Sequence, residues 1–192
     1  MQTICFLVPY FGRFNNYFQW WLESCRHNPT INWILLTDDD RPYDYPSNVI
    51  RVLTTLSDVS RNVENKLGHS VSLKTPFKLC DLRPAYGFLF QEYLNDYDFW
   101  GYCDTDLIWG DMRKFLTEDV LNNHVKIGKH GHCVLIRNDK KCNEAFMADF
   151  DDIPSYREVF GSPLAYCFDE WKGINRIFEQ ARPASILGTN IY

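Results

Sequence analysis

Short runs of apolar residues alternate along the chain with stretches in which apolar residues recur at helical spacing. Five such runs predict strands near residues 3–8, 33–37, 49–53, 98–103 and 132–137. Several of these runs are apolar without alternation, which is typical of parallel strands that are covered on both faces. The pattern predicts an α/β fold with three layers around a mostly parallel, mixed sheet.

Helical spacing is clearest in the stretch after the first strand, where the apolar positions are Phe18, Trp21, Leu22 and Cys25. Four further helices are predicted: one with Pro84 in its first turn, Met112 to Leu116 with Asp111 as its N-cap, Cys142 to Phe150, and one that opens at Asp169 and runs through Phe178. The segment from Thr54 to Ser72 is polar and irregular, so it receives no predicted element.

Size and composition narrow the class of protein. The chain has 192 residues, of which 45% are hydrophobic, so we expect one domain over residues 1–192 with one substantial core. A net charge of −5 gives no reason to expect a nucleic-acid partner, which would call for a basic face. Seven cysteines, an odd number without a Cys-x-x-Cys pair, indicate a reducing compartment. With neither a signal-peptide pattern nor a membrane-spanning apolar run, we expect a cytoplasmic protein.

Candidate chemistry is concentrated where the fourth predicted strand ends. Asp104 and Asp106 follow the apolar run Phe99 to Cys103, and the carboxyl ends of strands are where open α/β sheets bind ligands. Two crowded carboxylates repel each other unless a cation or hydrogen-bond donors offset their charge, and such oxygen ligands suit Mg²⁺ or Mn²⁺. The alternative is a plain turn before a capped helix. The surrounding order of elements favours a metal–diphosphate site.

Other polar groups have an ordinary structural explanation beside a functional one. An acid after the second strand, as in Asp38 to Asp40, accepts hydrogen bonds from a ribose in some doubly wound folds but also suits a solvated turn. The remaining groups of this kind are the charged turn Lys78, Asp81 and Arg83, the loop histidines His130 and His132, and the first-turn acids Asp169 and Glu170. Surface ion pairs would explain the charged turn equally well, a polar loop is the more usual place for the two histidines, and the helix dipole would account for the first-turn acids.

The segment Asp104-Thr105-Asp106-Leu107-Ile108-Trp109-Gly110-Asp111-Met112 resembles the DxD segment of nucleotide-sugar glycosyltransferases of the GT-A fold, which is Rossmann-like. Further segments resemble that fold in the order that it requires: Val8-Pro9-Tyr10-Phe11, Asp38, Phe77-Lys78-Leu79-Cys80-Asp81, Gly131-His132-Cys133-Val134 and Phe168-Asp169-Glu170-Trp171. The resemblance covers nearly the whole chain. It is strongest to a bacterial group associated with surface polysaccharide or lipopolysaccharide assembly.

The resemblance implies a role for each of these residues. Asp106 would bind Mn²⁺ or Mg²⁺ directly, and Asp104 would contact the ribose or the metal. The nucleotide and its sugar would be bound by Pro9, Tyr10, Phe11, Asp38, Lys78, Asp81, Gly131 and His132. Asp169, and after it Glu170, would face the acceptor or the anomeric carbon as the catalytic carboxylates, and one of them would act as general base if the reaction inverts. The implied partners are a nucleotide diphosphate sugar and a glycan or glycolipid acceptor, with peripheral membrane association left open.

Many enzymes of this fold take a further metal ligand, often histidine, from a carboxyl-terminal segment. Ala184 to Tyr192 contains neither histidine nor an acid, so we expect an open metal site and a chain that lacks such a segment. Two rival functions remain: a metal-dependent phosphohydrolase or nucleotidyltransferase, and a degenerate transferase that binds nucleotide sugars without turnover. Gly12 alone after the first strand is a poor match to the glycine-rich phosphate loop of nucleotidyltransferases.

Overall fold

The computed structural model describes residues 1–181 and 186–187. The strands of these residues form one sheet in the order β3-β2-β1-β4-β6-β5-β7. Their bounds are β1 Ile4–Tyr10, β2 Ile31–Thr37, β3 Val49–Leu53, β4 Phe99–Cys103, β5 Lys126–Ile127, β6 Cys133–Arg137 and β7 Ile186–Leu187. All five predicted strands are present, and β5 and β7 extend the sheet beyond them.

Strand β1 lies between β2 and β4 and pairs with both in parallel, so that Ile4 lies opposite Ile31 on one side and Phe99 on the other. Strand β3 continues the parallel part, whereas β6 runs antiparallel to β4. The carboxyl ends of β1, β2 and β4 therefore meet at one edge of the sheet. Strand β1 is buried because neighbours cover it on both sides and both faces, which explains its continuous apolar sequence.

Helices cover both faces of the sheet. The α-helices are α1 Phe18–Arg26, α2 Leu56–Leu67, α3 Leu79–Leu82, α4 Tyr86–Leu89, α5 Gln91–Leu94, α6 Glu118–Asn123, α7 Lys140–Asn143, α8 Tyr156–Gly161 and α9 Ile174–Ala181. Single 3₁₀ turns occupy Pro76–Lys78, Arg83–Ala85, Met112–Lys114 and Ala145–Met147. No helix among the described residues is long and apolar enough to cross a membrane.

Two hydrophobic clusters, one on each face, account for the core. Cys5 and Leu7 of β1 belong to one cluster, and the intervening Phe6 belongs to the other, as the alternation of side chains along a strand requires. The structure thus confirms the predicted three-layer α/β fold with a mostly parallel, mixed sheet.

The segment from Thr54 to Ser72, which received no predicted element, contains the twelve-residue helix α2. The side chain of Thr55 accepts a hydrogen bond from the backbone of Asp58, and Gly68 ends the helix in a left-handed conformation. Only a narrow apolar stripe, with Val59 and Val63 buried, joins α2 to the core. That narrow stripe explains why the helix is inconspicuous in the sequence.

Three predicted helices are wrong in extent. The prediction from Met112 to Leu116 is a single 3₁₀ turn, and the side chain of Asp111 makes no capping hydrogen bond there. Cys142 to Phe150 is replaced by α7 followed by a 3₁₀ turn. The last helix begins at Ile174, after turns that contain Asp169. Of Ala184 to Tyr192, only Ile186 and Leu187 are described, so the prediction for that segment lies largely outside the described residues.

Candidate active site

A cavity of about 620 Å³ opens at the carboxyl ends of β1 and β4. It lies between the loop after β1, the turns around α3, the loop after β4, the turn before β6 and the segment before α9. Ten of the predicted site residues line it: Pro9, Tyr10, Phe11, Asp81, Asp104, Asp106, Gly131, His132, Asp169 and Glu170. Asp38 and Lys78 are not among the lining residues.

The acids after β2 shape the loop after β1. Oδ1 of Asp38 accepts a hydrogen bond of 2.7 Å from the backbone of Gly12, which has a φ of +101°. The buried Asp39 accepts one of 2.9 Å from the backbone of Phe14 and forms an ion pair with Arg41. Hydrogen bonds from Arg41 hold the pKa of Asp39 well below its usual range. Both acids therefore act on backbone in this structure, and a contact between Asp38 and a nucleotide stays a prediction.

Lys78 and Asp81 form a buried clamp on the segment before α9. Their side chains are 3% and 2% exposed, and Nζ of Lys78 lies 2.8 Å from Oδ2 of Asp81. Lys78 also donates to the carbonyl of Leu164, while the Asp81 carboxylate accepts from the backbones of Tyr166 and Phe168. These contacts fix the segment that leads into Asp169. The role of either side chain in binding a nucleotide stays a prediction.

Arg83 is the central charged group of the cavity, and the predicted site did not include it. Its Nη2 donates to Oδ1 of Asp104 at 2.5 Å, and its Nη1 donates to Oδ2 of Asp169 at 3.1 Å. Nη1 also donates to the carbonyl of Gly131 at 3.0 Å. The guanidinium thus joins three segments that are far apart in sequence. The signal that could have identified it is its place in the charged turn with Lys78 and Asp81.

Asp169 lies deep in the wall of the cavity, with only 7% of its side chain exposed. Burial raises the pKa of its carboxyl group from 3.8 to about 6, although the charge of Arg83 opposes that rise. The hydroxyl of Tyr102 donates to the backbone carbonyl of Asp169 at 3.0 Å. A buried carboxyl with a pKa near 6 can exchange a proton at neutral pH, which suits a general base.

Glu170 and Gly131 complete this wall. Oε1 of Glu170 accepts a hydrogen bond of 2.7 Å from the backbone of Gly131. A Cβ at position 131 would lie 2.6 Å from Oδ2 of Asp169 and 3.0 Å from Nη1 of Arg83, so a larger residue does not fit without a shift. In this structure Glu170 therefore orders the turn before β6.

The two aspartates after β4 differ in their contacts. Oδ1 of Asp104 is bound by Arg83, and its Oδ2 lies 2.9 Å from Nδ1 of His132. Asp106 is exposed, lines the cavity and has no hydrogen bond or ion pair within residues 1–181 and 186–187. His130 is exposed and does not line the cavity.

The contacts of Asp104 and Asp106 bear on how the site could hold a divalent cation. Within the described part of the chain, no group of three or more histidine, cysteine, aspartate or glutamate residues is arranged to hold a metal ion. Two carboxylates can nevertheless serve a cation such as Mg²⁺, which usually keeps several waters and takes further oxygens from substrate phosphates. Asp106 has no partner among these residues, whereas both oxygens of Asp104 are already bonded to Arg83 and His132, so metal binding by the two aspartates stays a prediction.

Comparison with curated proteins finds no match. Among solved structures, the glycosyltransferase GlyE of Streptococcus pneumoniae TIGR4 shares 13% identity at a TM-score of 0.42, over 98% of this chain and 45% of GlyE. The galactosyltransferase LgtC, solved with donor and acceptor sugar analogues, shares 14% identity at a TM-score of 0.47, over 98% of this chain and 73% of LgtC. This chain thus spans less than half of the GlyE chain. Similarity at this level does not establish an activity for this chain.

A protein-family profile matches residues 6–191, which is nearly the whole chain. Its description is "Family of unknown function (DUF6625)". The chain, with the sheet and cavity described above, therefore belongs to the DUF6625 family.

Proposed function

We propose that the protein is a glycosyltransferase that moves a sugar from a nucleotide diphosphate sugar to a hydroxyl of a glycan or glycolipid. The observation that carries this proposal is the meeting of Asp104, Asp106 and Asp169 with Arg83 around one cavity at the carboxyl ends of parallel strands. Ligands of open α/β sheets bind at such edges, and a cavity of about 620 Å³ is of the size that holds small molecules.

The two sides of the cavity suit the two parts of such a donor. Pro9, Tyr10 and Phe11 of the β1 end offer apolar and aromatic surface, which suits a nucleoside. The acids after β4 lie at the neighbouring strand end, within reach of a diphosphate. This arrangement agrees with the order of segments in the GT-A resemblance.

The charge of the lining calls for a cation beside a diphosphate. In the described residues the lining contains five carboxyl groups, one guanidinium and one imidazole, and one of the carboxylates is neutralised by Lys78. A diphosphate would be repelled by this negative field unless a cation lay between. Asp106 and Asp104 would hold Mn²⁺ or Mg²⁺, and such an ion supplies charge stabilisation to the departing diphosphate.

Asp169 is the group best suited to receive a proton from the acceptor. If configuration inverts, its carboxylate takes the proton of the acceptor hydroxyl while the oxygen forms a bond to the anomeric carbon. The bond from that carbon to the diphosphate breaks, and its electron pair leaves with the diphosphate. Because burial raises the pKa of Asp169 to about 6, turnover by this route should increase as pH rises through that value.

One observation favours a second candidate, a protein that binds nucleotide sugars without turnover. Arg83 is paired with both Asp104 and Asp169, so each carboxylate already has a cationic partner. If this pairing withholds Asp169 from the acceptor hydroxyl, the cavity would bind a donor without reacting. The GT-A resemblance is strongest to a group associated with surface-polysaccharide assembly, so we propose a glycan of that class as the acceptor.

A donor screen tests the proposal. Nucleotide diphosphate sugars are incubated with the protein and Mn²⁺, and release of nucleotide and sugar is measured for wild type, Asp169→Asn and the exposed control Asp119→Asn. The proposal expects release from one donor class, lost in Asp169→Asn and kept in the control. Binding without release supports the second candidate. Cleavage of nucleotides regardless of the sugar supports a phosphohydrolase and contradicts the proposal.

A further inference from the structure

Arg83 joins the two ends of the proposed site through a single guanidinium. Under the proposed function, Asp104, which follows β4, would face the diphosphate, and Asp169, which precedes α9, would face the reacting carbon. Nη2 of Arg83 serves the first and Nη1 serves the second, with Gly131 as the third partner through its carbonyl. No other cation in the described residues forms an ion pair with either carboxylate, apart from His132 beside Asp104.

The orientation of this guanidinium is fixed from several sides. Its side chain is 16% exposed, and its central carbon lies 5.6 Å from the centre of the Tyr102 ring. A planar guanidinium presents its N–H groups in a rigid fork, so the two nitrogens hold two carboxylates at a set separation. Lysine carries the same charge as one compact point and cannot reproduce that geometry.

The close packing of Arg83 and Asp169 against Gly131 is a second sign that the distance between the guanidinium and the carboxylate matters. A Cβ there would clash with Asp169 and lie in tight contact with Arg83, so the glycine leaves room for the guanidinium to reach the carboxylate. The hydrogen bond from Tyr102 to the backbone of Asp169 holds the other side of that residue. Tyr102 therefore holds the backbone of Asp169, and Arg83 is left to orient its carboxylate.

We propose that Arg83 is a positioning residue, which sets the separation and orientation of Asp104 and Asp169 and stabilises the ionised form of Asp169. Its effect on turnover rests on the proposed function, whereas its effect on Asp169 does not. Charged or titratable groups that face Asp169 come from several elements: Arg83, Glu170, Asp81, Cys80, Tyr86 and Tyr102. Of these, Arg83 is the one that is both cationic and bonded to the carboxylate.

Variants of Arg83 and a matched control separate position from folding. Arg83→Lys keeps the charge and Arg83→Met removes it. Arg26→Met is the control, because Arg26 also pairs with two acids, Glu23 at 2.9 Å and Asp44 at 2.8 Å, but does so away from the cavity. Circular dichroism selects the variants that fold, and Arg83→Lys serves where Arg83→Met does not fold.

The first readout is turnover of the donor found in the screen. A misplaced reacting group costs about 100-fold in rate, so Arg83→Lys should lose about that factor. Its affinity for the nucleoside diphosphate with Mn²⁺ should fall by less than about 10-fold, since the charge of the cavity is kept. Turnover close to wild type in Arg83→Lys, or a fall fully explained by weaker affinity, would overturn the positioning role.

The second readout needs no substrate. The ¹³C resonance of the Asp169 carboxyl, assigned as the signal lost in Asp169→Asn, is titrated by nuclear magnetic resonance. In wild type its pKa is expected at about 6. Because a cation at this distance lowers a carboxyl pKa, the midpoint should rise by about one pH unit or more in Arg83→Met and stay unchanged in Arg26→Met. An unchanged midpoint in Arg83→Met contradicts the inference even if the wild type is an active transferase, and a wild type without donor turnover contradicts only the proposed function.

Discussion

Two groups of charged side chains are built around one turn of the chain, residues 78–83, and they have different roles. In the clamp, Lys78 and Asp81 are almost fully buried and contact each other and the segment before α9, through its backbone and through the ring of Tyr166. In the charged wall, Arg83 binds Asp104 and Asp169, and all three line the cavity. The clamp stabilises the fold, whereas the charged wall faces the cavity.

The difference follows from helical phase. Residues three apart in a turn face each other, which brings Lys78 and Asp81 together. Residues two apart point to different sides, so Arg83 projects away from Asp81. It points toward Asp104, which follows β4, and Asp169, which precedes α9. Charge and sequence proximity alone therefore do not identify a ligand-facing group. Its phase relative to the sheet edge does.

Removing the cation of the clamp should have the largest effect on stability. Lys78→Met leaves the buried Asp81 without its partner, and breaking a buried pair in this way costs about 3–5 kcal/mol. Urea unfolding of the variant measures the loss. The control is Lys129→Met, whose pair with Glu179 is exposed and should be worth less than about 1 kcal/mol. Equal losses in the two variants would show that the clamp is not structural.

The charged wall should instead affect how the free energy of unfolding depends on pH. The pKa of Asp169 is raised to about 6 in the folded protein, so between about pH 4 and pH 6 the unfolded chain releases a proton that the folded chain retains. Stability therefore falls as pH rises through that window, by at most about 1.4 kcal/mol for each pH unit. Asp169→Asn should remove this slope. Unfolding midpoints at several pH values test it, and parallel slopes in the two proteins would refute the assignment.

Adding a methyl group at Gly131 tests how tightly the charged wall is packed, with a smaller expected effect. Gly131→Ala places a methyl group against Asp169 and Arg83, and such overpacking costs about 1–3 kcal/mol. Gly161→Ala is the matched control, since nothing lies within 4 Å of its added Cβ, and should stay within about 0.5 kcal/mol of wild type. Thermal or urea unfolding compares the two. If both substitutions are neutral, the wall is looser than the structure shows.

Much of the fold could be predicted from apolar runs, because a strand covered on both faces leaves an uninterrupted hydrophobic signature, as in β1 and β4. Helix α2 escaped because it buries only a narrow stripe. The predicted helix at Met112 failed because a capping residue and an apolar pattern of one turn do not suffice: the chain there makes a 3₁₀ turn, and the capped helix begins after Thr117.

The site was predicted in part for the same physical reason. Asp104, Asp106 and Asp169 follow or precede regular elements, and topology alone brings such residues to one edge of the sheet. Arg83 was missed because its importance comes from contacts with residues 21 and 86 positions away. Asp38 and Lys78 do not line the cavity, and they instead bond to the backbones of Gly12 and Leu164, which no sequence pattern reveals.

The most direct test of the central claim is metal-dependent binding of a nucleoside diphosphate, measured by titration calorimetry with uridine diphosphate and guanosine diphosphate in the presence and absence of Mn²⁺. Asp106 has no partner within the described ranges, so Asp106→Asn should change stability by no more than about 0.5 kcal/mol. We expect binding by the wild type that requires Mn²⁺, about 10-fold or more weaker binding by Asp106→Asn, and unchanged binding by the exposed control Asp111→Asn. Equal affinities for wild type and Asp106→Asn, or binding indifferent to Mn²⁺, would contradict the account.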